Sequence, residues 1–522
     1  MSDRPLGVDP PPPGPSAVSG PGPAGPGLRR SLSVVDGVAV AASSTAATTS
    51  IGIGLGVTAG VVGPHLPAIM LLAFVPVLGI AGAFSRLNRV EPNAGNGYVW
   101  VGRSLSPWLG FMVGWVNFVA SVAFLAYTTA VTGSALLQLA GEAGLHRVGS
   151  LGLDPDSTAQ TTAVGVVVLV AVTVTAVTGV RAAARLQTWL LVFEYVVLLG
   201  FCGYGIVTGP HSFSLSWFDP FAIPSATALA QGLLLSVFCY WGFEAAFTVN
   251  EEVRDPADAS RAGTITLVTM LGLFLLGSVA FQRVLSPQQL AGHGAQGLAY
   301  YGDRLADRPL AALPLVALMF SAVASLQAGV IPAARGMFAM SRDRTLGPVW
   351  SKISARYGTP AAGTLLIGAL AVAVAAGALV IPRLADMIDA IVNAVGIVVA
   401  LSYALTALAA AVRFRGLLRE DWRQGVRAVL LPVLSALALL GLGGCLCRSF
   451  YRSADHLELR ADNGWFLLLM PVVMIASGFA VAAWAKWVRR SPYFRTGTGT
   501  DAASPGLLTV SDRPFEERHH AR

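Results

Sequence analysis

Charge is what this 522-residue chain has least of: Asp, Glu, Lys and Arg make up 12% of it, against 54% hydrophobic residues. Soluble domains carry about 25% charged residues, so a water-soluble globular fold is excluded. Cysteine is scarce as well. The four present, Cys202, Cys239, Cys445 and Cys447, fall in apolar stretches without zinc-ligand spacing and read as small packing residues. Catalytic signatures are missing, with no HExxH, no GxSxG and no His/Asp cluster inside the apolar stretches. No segment between apolar stretches exceeds about 30 residues, which leaves no room for a soluble catalytic domain. Strict two-residue alternation is absent too, which excludes a transmembrane β-barrel. Neither an enzyme nor a metal or cofactor site is expected.

What the chain has in abundance is apolar runs of membrane-spanning length. A hydrocarbon core about 30 Å thick needs roughly 20 such residues, and by that ruler there are about twelve spans. They lie near 34–58, 67–86, 107–139, 160–180, 184–208, 226–250, 262–283, 310–341, 361–381, 386–413, 427–447 and 464–487. The formal charge of +7 then has a topological origin and no nucleic-acid partner is implied. Arg29, Arg86, Arg181, Arg254, Arg342, Arg413, Lys486 and their basic neighbours fall in alternate loops; the opposite side keeps Arg147, Arg283, Arg304, Arg308, Arg383, Arg448, Arg452 and Arg460. The positive-inside rule puts both termini in the cytoplasm, in a multi-pass protein of the cell membrane. Residues 1–31 read as a disordered Pro/Gly-rich tail with no cleavable signal, 32–490 as the membrane domain, and 491–522 as a cytoplasmic C-terminal tail.

Two spans carry residues a continuous helix has no use for. FCYWGFEAAFTVNEEVRDP, residues 238–256, sets an aromatic run, Gly242 and Glu244 in apolar surroundings before a charged, helix-breaking exit. A charge near the bilayer centre costs roughly 2.5–3.5 kcal/mol, and Gly242 weakens the helix where backbone groups can turn to a ligand. In the first span, SSTAATTSIGIGLG (Ser43 to Gly56) is built of small hydroxylated residues and alternating glycines, poor material for an unbroken helix. Such residues also serve close helix packing. The position of the two stretches, mid-span in the first and sixth spans, fits an inverted repeat of five helices with substrate between the two breaks. IGIGLG is not a dinucleotide fingerprint, because it lacks the strand–turn–helix setting.

Three longer motifs carry a resemblance. Asn93 to Asn117 (NAGNGYVWVGRSLSPWLGFMVGWVN), the GFEAAFTVNEEVRDP exit and Pro332 to Pro360 (PAARGMFAMSRDRTLGPVWSKISARYGTP) resemble, in order and spacing, the amino acid–polyamine–organocation superfamily of permeases. The likeness covers about residues 32 to 487. It implies an all-α fold of about twelve spans, a leucine-transporter-type five-plus-five inverted repeat with discontinuous helices 1 and 6. It also implies alternating access, with amino acids or related amines as substrates. The chain departs from the family's Gly-Ser-Gly type of helix-1 break, reading Ser43-Ser44-Thr45-Ala46-Ala47-Thr48-Thr49 in its place.

On that reading, free N–H groups where helix 1 restarts near Ala46–Ile51 hold the substrate carboxylate. The hydroxyls of Ser43, Ser44, Thr45 and Thr48 add hydrogen bonds. The substrate ammonium meets carbonyls where helix 6 unwinds, around Phe238, Cys239 and Tyr240. Phe238, Tyr240, Trp241 and Phe243 wall or gate the pocket, or simply pack. Trp115, Asn117, Ser321, Ser325 and Asn393 are candidates for side-chain selectivity. No acidic cluster marks a strictly cationic substrate, which favours neutral ones. Glu244 reads as an anchor for unwound helix-6 backbone. Glu194, mid-span in LQTWLLVFEYVVLLGF, lies about where some family members carry a lysine in place of a bound sodium ion. It is a candidate proton carrier or a hydrogen-bonded structural carboxyl, leaving coupling to protons or to sodium open.

Overall fold

A computed structural model describes residues 32–496, except 179, 294–296, 355, 378, 380–383 and 455–462. The Pro/Gly-rich tail 1–31 and all of the C-terminal tail beyond 496 therefore lie outside the described residues. The described chain is helical almost throughout. The exceptions include an antiparallel pair, Arg147–Val148 with Leu151–Gly152, and a single parallel bridge between Leu32 and Val253.

Ten of the described helices are long and apolar enough to cross a membrane, and two shorter apolar ones accompany them. In chain order these are α1 (Val34–Val62), α2 (Leu66–Val90), α3 (Pro107–Glu142), α4 (Thr158–Thr178), α5 (Arg185–Thr208), α6 (Ala226–Tyr240), α7 (Ala257–Val284), α8 (Leu310–Arg342), α9 (Ala361–Gly377), α10 (Ala390–Arg413), α11 (Trp422–Ser453) and α12 (Gly464–Val488). The shorter pair, α6 and α9, occupy the sixth and ninth expected spans.

Local chemistry explains the starts. Ser33 caps α1 in a closed box, its hydroxyl accepting from the Asp36 N–H while the Asp36 carboxylate accepts from the Ser33 N–H at 2.9 Å. Proline at the first turn starts α3, where its missing N–H costs nothing. Glycines then set the closest approaches. A Cβ on Gly133 of α3 would collide with the Thr161 backbone of α4, and one on Gly165 with the Thr129 backbone of α3, the small-residue seam typical of membrane helices.

The first half of α1 lies among α5, α7 and α8, while α3 packs on α4, α8 and α10. An aromatic knot of Phe84, Trp100, Phe243, Phe247 and Tyr403 fills the core beside the α6 exit. Apolar side chains face outward on α4, α5, α11 and α12, among them Val167, Val170, Val192, Val196, Leu434, Leu437, Val472 and Val473. Outward apolar surface on this scale fits a lipid solvent. Two cysteines, Cys202 and Cys239, are buried as packing residues, but Cys445 is exposed on the outer face of α11. Cys447, two residues on, is half-buried.

One end of the bundle is tied together by charge. The Leu32 N–H donates to the Glu252 carbonyl at 2.9 Å and the Arg254 N–H to the Leu32 carbonyl at 3.2 Å. Glu252 pairs with Arg335 of α8 at 2.5 Å, both buried, and Glu251 pairs with Arg342 at 3.0 Å while accepting from the Ala94 N–H. Breaking such a buried pair leaves an uncompensated charge, typically about 3–5 kcal/mol.

Candidate functional site

The α1 helix breaks at Ala46, whose φ of 50° and ψ of 60° are left-handed for a residue with a Cβ. Its helix resumes at Ala47 with no side-chain cap, then widens into a π turn over Ser50–Gly54. Poor helix formers make this break affordable: the Thr45 hydroxyl bonds back to the Ala42 carbonyl at 2.8 Å, and the Ser50 hydroxyl reaches the Thr45 carbonyl at 3.0 Å. From α8, the Ser325 hydroxyl lies 2.9 Å from the Ser43 carbonyl and 2.7 Å from that of Ser321, donating to one at a time.

The helix of α6 runs through Tyr240 and stops, with Trp241 extended and Gly242 at φ +114°. The unwinding falls at Trp241–Glu244, around the Gly242 and Glu244 singled out from sequence, and of the carbonyls expected to be freed before it that of Phe238 is engaged by the Trp241 N–H at 3.0 Å. Glycine is required here twice over. Its φ strains any other residue, and a Cβ would stand 2.6 Å from the Ser44 carbonyl carbon and 2.7 Å from the Thr45 nitrogen. The two breaks therefore touch, backbone to backbone. Glu244 holds the turn: one carboxylate oxygen accepts from the Gly242 N–H at 3.0 Å and from the Tyr403 hydroxyl of α10 at 2.6 Å.

A cavity of about 90 Å³ opens against this junction, lined by Ser44, Asn117, Phe124, Trp241, Glu244 and Tyr403 among others. A smaller one, about 30 Å³, lies beyond the break and is lined by Ser50, Gly54, Tyr127, Phe238 and Cys239. Aromatic contacts separate the two. Trp241 meets Phe124 edge-on at 5.3 Å and Phe238 at 5.8 Å, and Phe124 meets Tyr127 at 5.9 Å.

Behind the α1 break stands Glu194 of α5, fully buried, with both carboxyl oxygens lacking a hydrogen-bond partner. The hydroxyls of Thr48 and Ser321 face it as donors at longer than direct hydrogen-bond distance, and those of Ser43 and Thr49 lack a partner. Several buried polar groups converge without partners, the setting in which water, an ion or a ligand is bound. Among the described residues no group of three or more His, Cys, Asp and Glu has metal-binding proximity.

These geometries have relatives. The model of the amino acid permease family matches residues 36–446. The chain belongs to that family. A low-affinity putrescine importer of Escherichia coli is 24% identical over 362 residues, spanning 66% of this permease and 74% of the importer. An uncharacterised transporter of Mycobacterium tuberculosis is 28% identical over 368 residues, 67% and 74% of the two chains. A branched-chain amino acid permease of Bacillus subtilis is 22% identical over 323 residues, 60% and 68%. This family is one of membrane transporters, and the permease is a multi-pass membrane protein.

Of the residues singled out from sequence, the permease brings Ser44, Asn117, Trp241 and Glu244 to the larger cavity, and Phe238 and Cys239 to the smaller. Asn393 sits next to Val392, which lines the smaller one. Ser43, Thr45, Ala46, Thr48, Gly242, Ser321 and Ser325 form the breaks and their backing, with Glu194 behind them. Three lie elsewhere. Tyr240 is buried with its hydroxyl on the Met70 carbonyl at 3.2 Å, Phe243 sits in the aromatic knot, and the Trp115 indole donates to Ser477 of α12 at 2.9 Å. Sequence reasoning missed Tyr403 and Phe124. Tyr403, a phenol inside the apolar run of α10, carried a readable signal, whereas Phe124 looks like any other core aromatic.

Proposed function

We propose that this permease is a secondary active transporter of an amino acid or a related small amine, working by alternating access. The observation that carries the reading is the contact of two helix breaks, Ala46 in α1 and Trp241–Glu244 after α6, at a cavity on one side of an aromatic partition. Broken helices facing each other supply what a zwitterion needs without a charged side chain. The helix resuming at Ala47 offers unpaired N–H groups and a positive dipole end to a carboxylate. The carbonyls at the α6 end face the ammonium. Ser44 and Asn117 add hydrogen bonds beside them, and Trp241 with Phe124 and Phe238 gates passage between the cavities.

The chain then crosses the membrane twelve times, with α6 completing its crossing through the short helix Ala245–Thr248, and α1–α5 and α6–α10 as inverted repeats. Residues 32–490 form the transporting domain, and both termini face the cytoplasm at the cell membrane. Glu194 carries the coupling proton, taking it up and releasing it as the hydroxyls of Thr48 and Ser321 exchange water for substrate-linked contacts. One proton moving inward is worth roughly 2.3 kcal/mol per 100 mV, enough for about fifty-fold accumulation at 1.36 kcal/mol per decade.

Uptake of a labelled panel of amino acids and amines into proteoliposomes, with and without an inward proton gradient, tests this directly. Gradient-stimulated accumulation of a subset is expected. Uptake that needs internal amino acid makes the protein an exchanger. Flat uptake of every member by folded, inserted protein that still binds one of them overturns transport in favour of a sensor.

A further inference from the structure

The far end of the last helix carries a cluster that transport does not use. At its end α12 widens into a π turn over Trp484–Val488, and the Arg489 N–H donates to the Trp484 carbonyl five residues back at 3.1 Å. The wider turn puts residues five apart on one face, so the Arg489 guanidinium lies 5.3 Å from the Trp484 ring centre. The Lys486 ammonium sits between two indoles, 4.9 Å from the Trp108 ring and 5.8 Å from that of Trp487. Arg490, at φ 51°, reverses the chain.

The returning segment pins this cluster in place. The Ser491 hydroxyl donates to the Asp343 carbonyl at 3.3 Å, and Tyr493, fully buried, stacks on Tyr98 at 4.8 Å and 15°. A Cβ on Gly102 or Gly110 would strike the Tyr493 hydroxyl, so two glycines keep its socket open. Phe494 packs 5.2 Å from Trp108, the indole beneath Lys486.

Two cations are thus held against indoles, with exposed Arg490 beside them at the chain reversal, yet among the described residues none of the three has a carboxylate within ion-pairing distance. Arg103, Arg335 and Arg342, by contrast, are paired with Glu91, Glu252 and Glu251. Beside the unpaired three, Trp484, Trp487 and Val488 are 45%, 66% and 68% exposed. Outward apolar surface at a helix end of a membrane protein meets lipid, and indoles settle at the headgroup level. Uncompensated positive charge there has one complement among the neighbours a bilayer offers. We propose that the end of α12 is a binding site for the headgroup of an anionic phospholipid. Lys486, Arg489 and Arg490 take the phosphate oxygens, while Trp484, Trp487 and Val488 seat the glycerol and the first acyl carbons.

Retention of phosphatidylglycerol against phosphatidylcholine by the purified full-length protein, read by native mass spectrometry, tests the site without reference to transport. The wild type is expected to retain phosphatidylglycerol preferentially. Each basic residue near a membrane surface is worth about fivefold, so R490Q should lose about that factor and K486Q/R489Q/R490Q more than about tenfold. A matched triple at exposed arginines elsewhere, R89Q/R254Q/R415Q, should keep the preference. Equal retention of the two lipids by the wild type, or equal losses in both triples, overturns the proposal in favour of diffuse surface charge. Displacement of the lipid by millimolar inorganic phosphate overturns it in favour of a soluble anion. R490Q, at an exposed position, covers the case in which the triple at the site fails to fold.

Discussion

The two helix breaks meet at one point and are built on opposite principles. The break after α6 is closed chemically. Gly242 takes a backbone conformation that only glycine holds without strain, and one oxygen of Glu244 satisfies both the freed Gly242 N–H and the Tyr403 hydroxyl. The break in α1 is left open. Ala46 bears a left-handed strain with a Cβ, the resumed helix has no side-chain cap, and the hydroxyls of Ser43, Thr48 and Thr49 lack partners beside an equally unpartnered Glu194. An unsatisfied buried polar group costs about 1–3 kcal/mol, and polar groups gathered like those at the α1 break are where water, an ion or a ligand binds. On the transport reading proposed above, the α6 turn serves as a fixed wall and the α1 break as the part that responds to an occupant.

The largest effect is expected where the fixed wall meets the responsive one. Gly242→Ala places a Cβ 2.6 Å from the Ser44 carbonyl carbon at a φ of +114°. Strain of this kind costs of order 1–3 kcal/mol before any clash is counted. The turn has to withdraw from α1, so uptake in proteoliposomes should fall below about a tenth of the wild-type rate, with a lower melting temperature. Full activity with the melting temperature unchanged would dissolve the claim that the α6 turn is rigid.

Next in size is the open side. Glu194→Gln keeps the volume of the side chain and, like the protonated acid, pairs one accepting oxygen with a donor, but it cannot release a proton. Gradient-driven accumulation should disappear while binding of the substrate, followed by calorimetry, stays within about twofold. If accumulation in a proton gradient persists, Glu194 is a structural carboxyl and the polar group behind the α1 break works by another chemistry.

How much of this could be read beforehand follows the same division. Glu244 and Gly242 were legible because a carboxylate and a glycine contradict the apolar helix around them, and a contradiction of local rules marks a site. The Ser43–Thr49 run pointed to the stretch but not to the residue, because hydroxyls tolerate several break positions and only the packing of Gly242 onto Ser44 and Thr45 selects Ala46. The α6 break at Gly242 was legible for the first reason, but the group that holds it was not: Glu244 takes its second donor from Tyr403, 159 residues away. Tyr240 was hidden in the same way. Its hydroxyl finds the Met70 carbonyl on α2, a contact 170 residues away in sequence that no local pattern encodes. The apolar helices themselves, ten of spanning length, were plain from hydropathy, since each is a property of its own segment.

The smallest of the expected effects refines the wall. Tyr403→Phe removes one donor from Glu244 and nothing else, leaving the Gly242 N–H on the same oxygen. The ring stays in its aromatic contacts with Phe84 and Phe243, at 5.9 and 5.7 Å, so packing is preserved. A hydrogen bond to a charged group is worth about 1.5–3 kcal/mol, but the carboxylate lines a cavity where water can replace the lost donor, which brings the cost toward the lower figure. A loss of about tenfold in uptake rate at most is expected, with the melting temperature within a few degrees of wild type. Because the variant takes only this hydroxyl from the turn, a loss as large as that of Gly242→Ala would mean that α10, and not the glycine, sets the position of the α6 break, and the wall would then have to be counted among the moving parts.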